Sequence, residues 1–283
     1  MAAPFPVAGS TGGNFVPVVW TKKLNLRLYA TTVLAHITNT KYEGEIAGQG
    51  SSVEIREKPS VVVSDYTGSV TYAELDDTKQ TLVIDKAKHY AFKVDDILEV
   101  QSNIELQNNA IDDATNNMRV AIDTDVLAGT YSAATSSLAS TVVTKANILE
   151  LITLAGQTLD ELNVASDGRF LVLPPWICKM IKDSDLKDAS IAGDSTSILR
   201  NGRVGVIDRF TVFMSNLLDV TGTGTIWNCI AGTKDAISFA SQYVKTETLR
   251  LESTFGDGVR GLNVYGYKVV HADSLVHIPT TKV

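Results

Sequence analysis

Between Gly50 and Ala128 the chain changes period once. Apolar residues alternate up to about Phe92 and then recur at helical spacing without a break. A thin pair of strands feeding one long helix encloses no core of its own, so this passage limits the fold more than composition does. Its burial partners must lie elsewhere, in the same chain or in another copy.

In the helical part, Ile97, Ile104, Ile111 and Met118 recur every seven residues, and Val100, Ala114, Ala121 and Ile122 fill the same stripe. Asp95 and Asp96 suit a helix N-terminus, and Gly129 after Ala128 suits a C-cap. The segment is then roughly 50 Å long. A long core helix of a general α/β domain is the competing reading. Before it, Val53, Ile55, Val61 and Val63, then Thr81 and Val83 with the partly offset Leu82 and Ile84, form two β-runs around a polar stretch. The expected structure is an extended hairpin that docks on a neighbouring subunit, with Tyr66, Tyr72, Asp76 and Lys79 as candidate contact residues.

Charge supports docking between copies. Asp plus Glu is 32 against 25 Lys plus Arg, a net charge of −7, which argues against a general nucleic-acid-binding surface. Met1 to Tyr42 nevertheless holds Lys22, Lys23, Arg27 and Lys41 and no carboxylate, whereas the helix carries Asp112, Asp113, Asp123 and Asp125. Lys22, Lys23 and Arg27 are expected to pair with the Asp112–Asp125 part of a neighbour's helix, through Asp112, Asp113 and Asp123. Met1 to Pro17 lacks the pattern of a signal peptide and reads as a flexible arm, and no apolar run approaches a bilayer-spanning length. No membrane association is expected.

Further along, Tyr131 to Thr144 reads as a hinge or boundary. An amphipathic helix follows from about Lys145 to Asn163, then a buried strand from Arg169 to Leu173 and a helix started by Pro175. Lys182 to Gly202 reads as a surface or axial loop. Val204 to Leu218 and Ile226 to Ile230 are strand-like around a turn at Gly222 to Thr225. Tyr243 to Glu252 and Leu262 to Ile278 form two last strands about a turn at Gly256, Gly258 and Gly261.

The residues assemble no active site. His36, His89, His271 and His277 lack metal-ligand spacing, and Cys178 and Cys229 suggest neither disulfide nor zinc ribbon. Gly222-Thr223-Gly224-Thr225 is a turn, because Trp227 occupies the place of a dinucleotide fingerprint's third glycine. Adjacent carboxylates such as Asp76-Asp77 and Asp112-Asp113 diverge by about 100° on a helix and do not face one substrate. Cys178 lies among Trp176, Ile177, Met180 and Ile181 and reads as buried and inert. No catalytic residue, cofactor or metal is assigned.

Several phrases, in order, resemble the major capsid protein family of tailed bacteriophages. Tyr42-Glu43-Gly44-Glu45-Ile46, Gly50 with Val53 and Ile55, Leu82-Val83-Ile84-Asp85 and Phe92-Lys93-Val94-Asp95-Asp96 look like its extended loop and spine helix. Arg169-Phe170-Leu171-Val172-Leu173-Pro174 and Gly205-Val206-Ile207-Asp208-Arg209-Phe210-Thr211-Val212 with Ser215-Asn216-Leu217 look like its axial domain. Phe255, Gly261 and Val264-Tyr265-Gly266-Tyr267-Lys268-Val269 look like its closing peripheral strands. Arg209 departs from the glycine such proteins often carry there, which bears on the tightness of that turn.

The resemblance implies an α+β fold. Its parts are an N-terminal arm (1–45), an extended β-hairpin loop (46–92), a peripheral domain with the spine helix (93–144), an axial α/β domain (145–242) and peripheral return strands (243–283). It implies a non-enzymatic shell of many copies in hexamers and pentamers, a portal, scaffold or decoration proteins, and packaged double-stranded DNA held by weak non-specific contact. Such a shell is found in the virion and assembled in the host cytoplasm. An encapsulin-like cellular compartment and a cofactor-free α/β enzyme are the alternatives.

Overall fold

The computed structural model describes residues 32–42, 52–56, 61, 63, 65, 66, 72, 79–95, 106–184, 205–252 and 255–282. The basic cluster Lys22, Lys23 and Arg27, Asp76, the part of the expected long helix before residue 106 and most of the expected 182–202 loop lie outside these residues.

The central element is β6 (Arg169–Leu173), buried at all five positions. A strand covered on both faces reads as an unbroken apolar run, which Phe170-Leu171-Val172-Leu173 supplies. It sits mid-sheet between β10 (Ile226–Thr233), antiparallel, and β8 (Phe210–Met214), parallel. The sheet continues outward through β13 (Leu275–Thr281) on one side and β7 (Val206–Ile207) on the other. Helix α3 (Ile148–Glu161) buries Ile148, Leu151, Ile152, Ala155 and Leu159. Helix α4 (Pro175–Asp183) buries Ile177, Cys178 and Ile181 in the same core, its first turn set by the fixed φ of Pro175.

The 131–144 connection is no free hinge. Ser136–Ser137 (β4) and Thr141–Val142 (β5) run parallel to β13 and extend its sheet, so the backbone supplies the fixation that the small side chains do not. The expected strand from Leu262 to Ile278 is two strands in two sheets. β12 (Gly256–Val269) pairs with β11 (Ile237–Arg250), and β13 joins the large sheet after a turn at 270–274. The segment 243–283 thus contributes to both sheets.

Gly256, Gly258 and Gly261 are within β12, not in a turn. A Cβ at Gly256 would meet the Val94 carbonyl oxygen at 2.5 Å, and one at Gly261 would strike the Tyr90 ring at 2.3 Å, so close approach explains them.

The change of period also falls later than its residues suggest. β3 (Lys86–Asp95) extends through Asp95 and pairs with β12, not with the hairpin, which consists of β1 (Ser52–Arg56) and β2 (Lys79–Val83) alone. The long helix, α2 (Leu106–Thr130), spans 25 described residues, about 37 Å. Gly129 is inside this helix and not its cap. A Cβ there would lie 1.9 Å from the Tyr267 hydroxyl, so glycine lets the helix meet the sheet.

Candidate assembly interface

In the hairpin the inward face is Val53, Ile55, Leu82 and Ile84, with Leu82 fully buried, while Thr81 and Val83 point outward. The offset pair is therefore the core pair. Its cover comes from the chain's own Ala240, Val264 and Val270, so the hairpin base is seated on the outer face of the three-stranded sheet β11–β12–β3. Gly266 permits this, since a Cβ there would lie 2.2 Å from the Val83 carbonyl oxygen. Lys268 Nζ donates to the Thr81 carbonyl at 3.0 Å, and Gln80 Nε2 donates to the Val270 carbonyl at 2.9 Å.

What the hairpin carries is exposed. Val61, Val63, Tyr66 and Tyr72 are all open to solvent, Tyr72 at 92%. These four exposed side chains make the stretch a candidate contact surface. Lys79 pairs with Glu54 across the hairpin at 3.5 Å, so this candidate contact is engaged within its own subunit.

The acidic helix divides into outer and inner carboxylates. Asp112 is exposed, and Asp113, partly buried, accepts from Asn117 Nδ2 at 3.0 Å. Asp123, expected on a subunit contact, is only 1% exposed and accepts the Val33 backbone N–H at 2.9 Å, which places it inside its own subunit. Burial raises its pKa, partly countered by hydrogen bonds from the Val33 and Leu34 amides. Asp125 is spent internally as well: its Oδ2 accepts from Lys86 Nζ at 2.9 Å and the Tyr265 hydroxyl at 2.8 Å. Burial works against this carboxylate, yet the hydrogen bonds from Lys86 and Tyr265 outweigh it and hold the pKa below the usual range. These contacts lock the long helix to the sheet; helix periodicity alone makes Asp123 and Asp125 look like surface acids.

Between α2 and β3 an apolar groove of about 490 Å³ opens, lined by Tyr90, Phe92, Ala110, Ala114 and Met118 among others. The outer face of the same sheet has a recess of about 430 Å³ over Gly261, bordered by Lys245, Glu247, Arg260 and Leu262. Phe255 is likewise exposed, at the β11–β12 turn. Sequence reading missed both: the groove depends on how α2 packs beside β3, and the recess on pairing between strands some 170 residues apart.

Among the described residues nothing comparable is built for catalysis. Cys178 and Cys229 are buried, and desolvation pushes their thiols up to about 11 and about 12. Among the described residues no group of three or more His, Cys, Asp and Glu could hold a metal ion. His271 and His277 do not share a strand; His277 alone is in β13, where its Nε2 bonds Asn228 Oδ1 at 3.0 Å and its Nδ1 bonds Ser137 Oγ at 3.0 Å.

The phage capsid protein family model matches residues 79–278. A solved structure from Mycobacterium phage Che8 is similar, with a TM-score of 0.83 and 28% identity over 94% of this chain and 97% of that one. The capsid structure of Cyanophage P-SCSP1u has a TM-score of 0.75 at 13% identity, over 99% and 100% of the two chains. The mature capsid of bacteriophage PhiM1 has a TM-score of 0.71 at 13% identity, over 99% and 97%. No curated protein matches the sequence.

Proposed function

The chain belongs to the phage capsid protein family, and on that premise we propose how it builds its shell. It is a major capsid protein, a structural protein and not an enzyme, whose copies associate into the icosahedral head shell of the virion. In our reading the loop between β1 and β2 crosses onto an adjacent subunit, and the basic arm around Lys22, Lys23 and Arg27 reaches a neighbour's Asp112 and Asp113. The division into arm, loop, peripheral and axial parts follows the same reading, as do hexamers and pentamers, a portal, scaffold or decoration proteins, and assembly in the host cytoplasm. The shell encloses double-stranded DNA, and the chain's excess of carboxylates favours weak contact with packaged phosphate.

The observation that carries the proposed contact is the cluster Val61, Val63, Tyr66 and Tyr72, held in solvent by a hairpin whose base is anchored on its own subunit. Replacing residues 65–78 by a short Gly/Ser link tests it. Sedimentation and electron microscopy are expected to show loss of closed particles with the monomer fold retained; particles in undiminished yield would overturn the role of the loop.

A further inference from the structure

Residues 33–42 touch four separate parts of the molecule. Val33 and Ile37 are buried in the large core, and Leu34 packs on Ile122 and Val126 of α2. The His36 ring stacks on Phe213 of β8 at 5.0 Å. Asn39 donates its amide to the Ile237 carbonyl at 2.8 Å and accepts the Phe239 amide at 3.0 Å, which fastens the segment to β11. Tyr42 packs against the hairpin base. The segment is therefore a strap across the seam where the long helix and the two larger sheets meet.

One end of the strap is held by an unusual group. Its helix α1 (Leu34–Ile37) has four residues and no side-chain cap of its own. The cap comes from another helix: Asp123 of α2 accepts the Val33 amide at 2.9 Å and the Leu34 amide beside it. Capping carboxylates ordinarily keep their remaining acceptor sites in water. Asp123 is 1% exposed, and its Oδ1 is buried with no hydrogen-bond partner. An ionised carboxylate in that position is unfavourable, because two amides do not replace its lost hydration. The ionisable groups around it give no relief. Arg119, one turn earlier on α2, is exposed, and His36 faces Phe213. Asp235, just before β11, accepts from Asn39 at 3.2 Å and Lys41 at 3.4 Å, and Lys86 is committed to Asp125.

We infer that residues 33–41 are a proton-tuned strap, which Asp123 fastens firmly when protonated and loosely when ionised, so that at neutral pH the strap opens locally and frees α2 to shift against the large sheet. A proton on Oδ1 leaves Oδ2 as the acceptor for the strap amides and removes the buried charge. The sign follows from burial, which raises the folded-state pKa of Asp123 above its ordinary 3.8. The fastening is complete below that ordinary value and weakens as pH rises through the folded one. The arm that the shell reading sends to a neighbour begins where the strap leaves Asp123, so tension on the arm acts directly on this fastening. The inference rests on that reading for its use in the shell, and its test uses the unassembled chain.

Hydrogen exchange read by mass spectrometry measures the fastening, since the amides of Val33, His36, Thr38 and Asn39 are all hydrogen-bonded. After correction for the intrinsic exchange rate, protection of residues 33–39 in the wild type is expected to fall several-fold from about pH 4 to about pH 8. This trend is opposite in sign to the effect of a buried histidine, so a general change in stability does not imitate it. Asp123→Asn carries an N–H where the protonated carboxyl has its O–H, and is expected to keep the acid level of protection at every pH. Asp123→Ala removes the acceptor and is expected to lose strap protection at every pH and to speed exchange in residues 118–130 of α2, with β6 unchanged. Should β6 also lose protection in the alanine variant, the asparagine variant decides. Wild-type protection that does not change with pH, an asparagine variant that follows the wild-type trend, or an opened strap with α2 unaffected overturns the inference and leaves the shell reading standing. Absence of particles from the wild-type chain in electron micrographs overturns the shell reading instead.

Discussion

At the scale of single residues, the polar groups that matter most are those withdrawn from the surface. Arg169 has no exposed side-chain area and donates to Asp160 at 2.6 Å and to the Val164 and Ala165 carbonyls at 2.6 and 2.9 Å. Arg209 Nη2 meets the other oxygen of Asp160 at 2.7 Å. Asp208 and Arg209 both have positive φ, 45° and 66°, forming the two-residue turn between β7 and β8. Arginine thus occupies the glycine place without opening the turn, and its ion pair with Asp160 offsets the backbone strain. Arg169→Ala is expected to lose about 2–3 kcal/mol in urea unfolding through unpaired carbonyls and lost packing.

His277 gives a pH signature. Its burial holds the imidazole below its ordinary pKa, so the unfolded chain takes up a proton first on acidification. Its contribution is complete above the unfolded value of about 6.5 and is lost as pH falls through the lower folded value. The urea midpoint is expected to fall over that window in the wild type and to fall less in His277→Gln. None of these roles is legible in sequence, where Arg169 is one more cation and His277 an isolated histidine.

At the scale of elements, periodicity is informative where one face is buried and fails where two alternating sets compete. Helix α3, strand β6 and the Pro175 start of α4 follow from their apolar spacing, because each packs into a single large core. β2 was ambiguous by one residue, and a slip of one residue exchanges the faces. Leu82→Ala is accordingly expected to cost about 2–4 kcal/mol, whereas Val83→Thr leaves the thermal midpoint nearly unchanged. The end of α2 misleads for a different reason, since glycine there serves a tyrosine from β12. Gly129→Ala gains about 1 kcal/mol of helix propensity. It must also displace the Tyr267 hydroxyl from the Asp125 carbonyl, so a net loss of about 1–2 kcal/mol is expected in calorimetry.

At the scale of the whole molecule, the α+β organisation was legible from the order of its phrases, and the pairing of β3 with β12 was not, because nothing local reports a partner so distant in sequence. The candidate contact residues were legible only in part. Tyr66, Tyr72 and Asp112 are available to a neighbour, whereas Asp123 is enclosed. Reversing Lys22, Lys23 and Arg27 together to Glu is expected to slow assembly measured by light scattering and to remove much of its salt dependence, with the monomer's circular dichroism unaltered. Equal assembly of variant and wild type from low to high salt removes the arm from the mechanism.

The passages between the two larger sheets converge. The amide of Val270 bonds the Ala236 carbonyl at 2.8 Å, and the amide of Thr135, just past the long helix, bonds the Ala272 carbonyl at 3.2 Å. Three separate crossings of the chain are thereby tied together, and Leu127 of α2 belongs to the same buried cluster as Val33, Ile37, Ala236 and Ile237. The long helix and both larger sheets therefore share one joint, so a load placed on the helix by a neighbouring copy would pass to the large sheet through close-packed side chains as well as through backbone bonds.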